Sequence, residues 1–195
     1  MRYDAEHKAS TRTRVLKEAA KAIRTQGPHR IAVAGVMKKA GLTHGGFYAH
    51  FRSREAMVGA AIERMFEEAN ARWASATAGR SAADGLCAFI DFYLSPAHRD
   101  AHAVGCPVAA LLGDLPRLAP SWRRAFAAGV RRWTDAVAQR LIELGRENAE
   151  ALASSAVAEL AGALALARGE SDATRSDARL AASRHLIKQR LGLED

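Results

Sequence analysis

The sequence predicts an all-α chain. Apolar residues recur at steps of three and four along almost its whole length, the period of one helix face. The pattern is clearest from Trp122 to Leu144, where Trp122, Phe126, Val130, Trp133, Val137, Leu141 and Leu144 follow one another at 4, 4, 3, 4, 4 and 3. That is a heptad-like seam for packing on another helix. Gly27–Pro28, Gly79, Ser95–Pro96, Pro116 and Pro120 break the pattern into segments of helical length.

The elements follow in order. Thr11 or Thr13 is expected to open a first helix with Val15, Leu16, Ala19, Ala20 and Ile23 on one side. Residues 32–40 predict a short second helix buried through Val33, Val36 and Met37. A recognition helix at 43–49 comes next, then a long helix from Ser53 to about Ala78 with the stripe Met57, Ala61, Met65, Phe66 and Trp73. Residues 82–95 predict another helix, and 98–103 a turn or more. Gly105-Cys106-Pro107 reads as a helix start, since proline suits a first turn. The seam helix spans 121–146, an alanine-rich helix 148–167, and a last helix 178–191 follows the polar loop 169–177. The last two predict an αα-hairpin.

Residues 41–57, GLTHGGFYAHFRSREAM, carry the most information. Gly41 suits a tight inter-helix turn with positive φ, and Thr43 suits an N-cap. Phe47 and Phe51, four apart, can anchor one face. Thr43, His44, Gly45, Tyr48 and His50 are then left facing outward. Gly45 and Gly46 cost a helix on the order of 1 kcal/mol each. Close approach of the backbone to a DNA groove is one reason to accept that cost. Ser53 then caps a helix that begins with Arg54. The whole stretch reads as a DNA-binding helix-turn-helix.

Charge points the same way. Residues 1–55 hold 12 Lys or Arg and 4 Asp or Glu, a net of +8, whereas residues 56–195 hold 17 of each. A basic head on a neutral body suggests that the head alone meets a polyanion. A merely solvated basic face is the alternative, and coincidence with the helix-turn-helix pattern disfavours it. The chain divides into a DNA-binding domain at 1–55 and a helical regulatory domain at 56–195.

The run Gly41, Gly45, Phe47, Tyr48, His50, Phe51, Ser53 and Arg54 resembles the TetR family of bacterial transcriptional regulators. The resemblance implies an N-terminal three-helix helix-turn-helix domain followed by a helical bundle for dimerisation and ligand binding. It implies a homodimer on palindromic double-stranded operator DNA, released by a small-molecule effector, and repression as the default. DNA contacts are expected from Lys39, Thr43, His44, Gly45, Gly46, Tyr48, His50 and Arg54. Tyr48, Arg54, Thr43 and Lys39 would meet phosphates; His44, Gly45 and His50 would read bases. The effector pocket is expected among Phe89, Phe92, Tyr93, His102, Cys106, Trp122, Phe126 and Trp133, aromatic residues on helices that should pack together. A core filled without a cavity is the plain alternative. The dimer interface is expected at Ala156, Leu160, Ala163, Ala167, Arg184 and Ile187; the alternative is that these residues only complete the core of one protomer. One departure stands out: the family's Thr or Ser before the second helix is replaced by Ile31 and Ala32, which weakens one expected phosphate contact, with His29, Arg30, Lys38 and Lys39 as candidates to compensate.

Other chemistry finds little support. Two cysteines, Cys87 and Cys106, are too few for a disulfide framework and suit a reduced cytosol. The N-terminus is polar and charged, unlike a signal peptide. No uninterrupted apolar run approaches the ~18 residues of a membrane span. His98 and His102 share a helical spacing, but no further ligand completes a metal site. No Walker loop, no GxGxxG after a strand and no Gly-x-Ser-x-Gly elbow occurs, so no cofactor and no catalytic residue is expected. The alternative from another class is a thiol-dependent enzyme or thiol-reactive protein using Cys106. That residue precedes Pro107 and could cap a helix whose dipole favours a thiolate. An inert buried thiol is the simpler expectation.

Overall fold

The computed structural model describes residues 2–193, and over that range it contains helices and no strand. Nine α-helices are found among the described residues: α1 (Arg2–Gln26), α2 (Val33–Lys39), α3 (Arg54–Thr77), α4 (Ala82–Tyr93), α5 (Pro96–Asp100), α6 (Pro107–Leu111), α7 (Pro120–Glu143), α8 (Ala149–Gly169) and α9 (Ala173–Leu191). Two 3₁₀ turns, His44–Ala49 and Leu112–Arg117, join them.

The N-terminal head is α1, α2, the His44–Ala49 turn and the start of α3. Val15, Ala19, Ala20 and Ile23 are fully buried along one side of α1, as the spacing predicts. The start of α1 is a correction. The helix runs nine residues or more before Thr11, whose side chain is buried within it and caps nothing. The polar residues before Thr11 are good enough helix formers to continue the turn. Gly27, at φ +81°, ends α1. The first residue of α2 is preceded by Ala32, which makes no side-chain cap. The recognition segment is a 3₁₀ turn and not an α-helix; two adjacent glycines leave too little propensity for regular α structure.

Helix α3 is capped by Ser53, whose hydroxyl accepts the Ala56 N–H at 3.1 Å. It runs unbroken past residues 55 and 56, so head and body share one helix instead of being joined by a linker. Its buried stripe, Met57, Ala61, Met65 and Phe66, packs on α1 and then α7. Gly129 permits the close approach of α7, because a Cβ there would collide with the Phe66 ring. In α7 the seam residues Trp122, Phe126, Trp133, Val137 and Leu141 are buried.

Helix α8 has the length and mean hydropathy, 1.4, of a membrane span, yet it packs as a core helix between α7 and α9. Helix α9 begins five residues earlier than the apolar pattern indicates. Asp172 caps it by accepting the Arg175 N–H at 3.1 Å, an N-cap inside a stretch that reads as loop.

Candidate nucleic-acid interface and effector cavity

In the head, Gly41 adopts φ +72°. Its N–H donates to Lys38 O at 3.1 Å, and that of Leu42 to Met37 O at 2.9 Å. This closes α2 and sends the chain into the recognition turn. Phe47 is buried and stacks on Phe51 at 5.7 Å, which pins the turn to the core. The opposite side is open: Thr43, His44, Gly45 and Lys39 are exposed, and Tyr48 is 72% exposed. Gly46 is half-buried. Gly45 has no positive φ, and a Cβ there would meet nothing within 4 Å. Nothing inside the protein therefore requires glycine at this position.

Two expected DNA residues are placed differently. Arg54 is tied inward: its Nε donates to Ile31 O at 3.1 Å, and its Nη2 to Pro28 O and His29 O, both at 2.8 Å. A guanidinium holding three carbonyls clamps the α1–α2 loop through Nε and Nη2. His50 is half-buried, with Nδ1 enclosed and unpaired. Burial, then Lys8, Arg12 and His7, lower its pKa. It is a neutral ring beside a basic cluster, not a fully outward reader.

Trp122 is also placed elsewhere than expected. It lies at the joint of head and body, 5.4 Å from the His29 ring and under the Arg54 guanidinium. Its Nε1 donates to Glu55 O at 3.0 Å. Arg24 of α1 crosses the same joint deeper in. Its Nε donates to Gly105 O at 3.0 Å and its Nη2 to the Glu68 carboxylate at 2.8 Å.

A cavity of about 30 Å³ lies in the body, lined by Phe66, Ala69, Asn70 and Arg72 of α3, Phe89, Phe92 and Tyr93 of α4, and His98, Cys106, Pro107 and Trp133. The structure brings together five of the expected pocket residues: Phe89, Phe92, Tyr93, Cys106 and Trp133. Three fall outside. His102 is exposed on the surface, Trp122 is at the joint, and Phe126 is packed behind Phe66, edge-on at 5.7 Å. His98 takes the place expected for His102, because α5 ends at Asp100 and the chain turns outward after it. The residues that sequence reasoning missed are mostly on α3. Arg72 and Asn70 sit in a polar stretch that gives no sign of facing inward.

His98 is 5% exposed. Its Nδ1 lies 2.8 Å from Tyr93 O, an acceptor, so Nδ1 carries the proton. Burial lowers its pKa to about 4. The Tyr93 hydroxyl is pushed up well above its ordinary value, first by burial and then by the neighbouring Cys106. Cys106 is buried and precedes a helix of only five residues, which it does not cap with its side chain. Among the described residues no group of three His, Cys, Asp or Glu is placed to hold a metal.

The expected dimer residues are turned inward. Ala156, Leu160, Ala163, Ala167 and Ile187 are 0–6% exposed within the single chain, and Arg184 pairs with Asp91 of α4 at 3.7 Å. Packing of α8 between α7 and α9 consumes that face. The surface left outward carries Ala158, Leu166 and half-buried Gly162 on α8, and Ala178, Ala182 and Leu186 on α9.

Comparison with known proteins accords with this architecture. Residues 15–61 match the model of the bacterial regulatory proteins of the TetR family. Residues 82–178 match the C-terminal domain of LmrA/YxaF-like transcriptional regulators. The chain is 34% identical over 175 residues to an uncharacterized HTH-type transcriptional regulator of Mycobacterium tuberculosis, covering 85% of this chain and 88% of that one. A TetR regulator from Chloroflexus aurantiacus superposes with a TM-score of 0.79 at 28% identity, over 94% of this chain and 97% of that one. E. coli NemR in its reduced form shares the fold, with a TM-score of 0.81 at 21% identity over 92% and 96% of the two chains. With an exposed recognition turn on a basic head and these relatives along most of its length, the chain belongs to the TetR family of DNA-binding transcriptional regulators.

Proposed function

We propose that the protein is a cytoplasmic repressor that binds a palindromic operator as a homodimer and releases it when a small molecule enters the α3–α4–α7 cavity. The observation that carries the DNA reading is Gly45. It is exposed at the tip of the recognition turn, in ordinary backbone conformation with open space around it, so its missing side chain serves an outside partner. Tyr48, Thr43 and Lys39 reach phosphates on either side, while His44 and the Gly45 backbone meet base edges. Arg54 acts indirectly, holding the loop that sets the angle of α2.

Coupling follows the shared helix. Arg54 begins α3 and Arg72 lies on the cavity wall 18 residues on, roughly 27 Å along the axis. A ligand that displaces Phe66 or Arg72 therefore moves the element on which the head is built. Arg24 supplies a second link, from α1 to the Gly105 carbonyl beside Cys106. Both partner heads would shift together, changing the spacing of the two recognition turns.

Selection from random duplex DNA tests this function. An enriched palindrome, lost with Tyr48→Ala and altered in sequence with His44→Ala, is the expected result. Failure to enrich any two-fold symmetric site would refute it.

A further inference from the structure

Five buried side-chain atoms among the described residues have no hydrogen-bond partner, and three of them are on the wall of one cavity: Tyr93 Oη, Trp133 Nε1 and one terminal nitrogen of Arg72. Tyr93 and Trp133 are 3% and 7% exposed. Buried polar groups are as a rule paired, and the Cys106 sulfur beside the phenol is a weak partner at best. All three orphaned groups can donate, and one is cationic.

Arg72 is also short of a counter-charge. Glu68, the acid that acts on it, is already engaged by Arg24 at 2.8 Å and Arg64 at 3.3 Å. Burial and the nearby Arg24 pull the Arg72 pKa below its ordinary value, as expected for a guanidinium with too little negative charge around it. His98 is neutral and adds none. A water could satisfy one donor, but it brings no charge.

The rest of the wall is aromatic. Trp133 stacks on Tyr93 at 5.3 Å, Phe92 on His98 at 5.1 Å, and Phe89 meets Trp133 edge-on at 6.1 Å. Phe92 is 39% exposed, the one ring of this set that borders solvent. At about 30 Å³ the cavity takes a ring only if it widens.

Resting on the effector reading above, we infer that the cavity binds a small planar aromatic monoanion. Its carboxylate would lie among Arg72, Tyr93 Oη and Trp133 Nε1, and its ring against Phe89 and Phe92. The acceptor oxygens supply what the three donors lack, and the charge answers Arg72. Neutral aromatics of the same shape leave that charge uncompensated.

Calorimetric titration of the intact protein with 2-naphthoate and benzoate, beside 2-naphthamide and benzamide, tests the inference. Each acid should bind at least tenfold tighter than its amide. Arg72→Met should abolish that preference. Tyr93→Phe removes an unpaired hydroxyl, so it should leave the Tm unchanged or higher while weakening naphthoate several-fold, a split that a purely structural tyrosine would not give. Equal affinity for acid and amide, or a preference that survives Arg72→Met, overturns the ligand class. If the amides then bind and release operator DNA, the effector cavity stands without it. If none of the four compounds binds or releases operator, the ligand class and the effector reading fall together.

Discussion

Gly45 and His98 show how single residues divide between folding and function. Gly45 lowers local stability with no internal need for glycine. Gly45→Ala should therefore stabilise the fold by about 0.5 kcal/mol, the usual gain from reduced unfolded-state freedom. It should also weaken operator binding at least tenfold, because in the proposed complex the new methyl group would point at the groove. Thermal melting and a binding titration on the same sample check both halves; unchanged affinity would mean that the turn does not approach DNA closely. His98 is buried as the neutral ring, with a pKa of about 4 against 6.5 when unfolded. The folded pKa is depressed, so the unfolded chain takes up the extra proton between these values. Stability is then fully present above pH 6.5 and falls as pH drops toward 4, by up to about 3 kcal/mol at 1.36 kcal/mol per pH unit. Urea unfolding at a series of pH values should show this loss, and His98→Gln should flatten it. An unchanged slope in the variant would assign the loss to other groups.

At the scale of elements, α3 is the part that the two candidate sites share. It carries the Arg54 clamp at one end and the Arg72 wall at the other, and Gly129 of α7 sets its distance from the body. Gly129→Ala would drive a methyl group into the buried Phe66 ring. Overpacking of this kind costs roughly 1–3 kcal/mol. The expected result is a lower urea midpoint with an unchanged m-value, together with altered fluorescence from Trp133, since Phe66 forms the cavity wall beside it. A variant as stable as the wild type would show that α7 can move away at no cost.

For the whole molecule, the homodimer we propose would use the outward faces of α8 and α9. Leu166 and Leu186 are 61% and 55% exposed, and with Ala158, Gly162, Ala178 and Ala182 they form small and apolar stripes on adjacent antiparallel helices. Seated on a two-fold mate, these stripes would give a tight isologous contact. Leu166→Arg combined with Leu186→Arg should yield a folded monomer in sedimentation, with helical content unchanged and operator affinity reduced at least a hundredfold, since one head then binds alone. Ala163→Arg would not report on assembly, because Ala163 is 6% exposed inside the protomer and the change would damage its core. A double variant that stays dimeric would place the interface elsewhere.

The sequence by itself determined the helices, the helix-turn-helix and the family. Each rests on local chemistry: the apolar period, the Gly41 turn, the Ser53 cap, and Phe47 four residues from Phe51. Local rules misled where signals competed, as with Thr11, which reads as a cap but is buried mid-helix, and Asp172, a cap hidden in a polar loop. The tertiary structure alone decided which face of each helix is used. Spacing marks Ala156, Leu160 and Ala163 as one stripe, but whether that stripe meets α7 and α9 or a second chain depends on how three helices pack. The same holds for the cavity. Phe126 and Trp122 belong to the seam as fully as Trp133, yet only Trp133 reaches the void, because the depth of a residue along the α3–α7 contact is a long-range property. Arg72 is outwardly ordinary in sequence, and only the tertiary structure places it on the cavity wall; Arg54 belongs to the sequence motif, but its grip on the Pro28, His29 and Ile31 carbonyls depends on a loop more than 20 residues away.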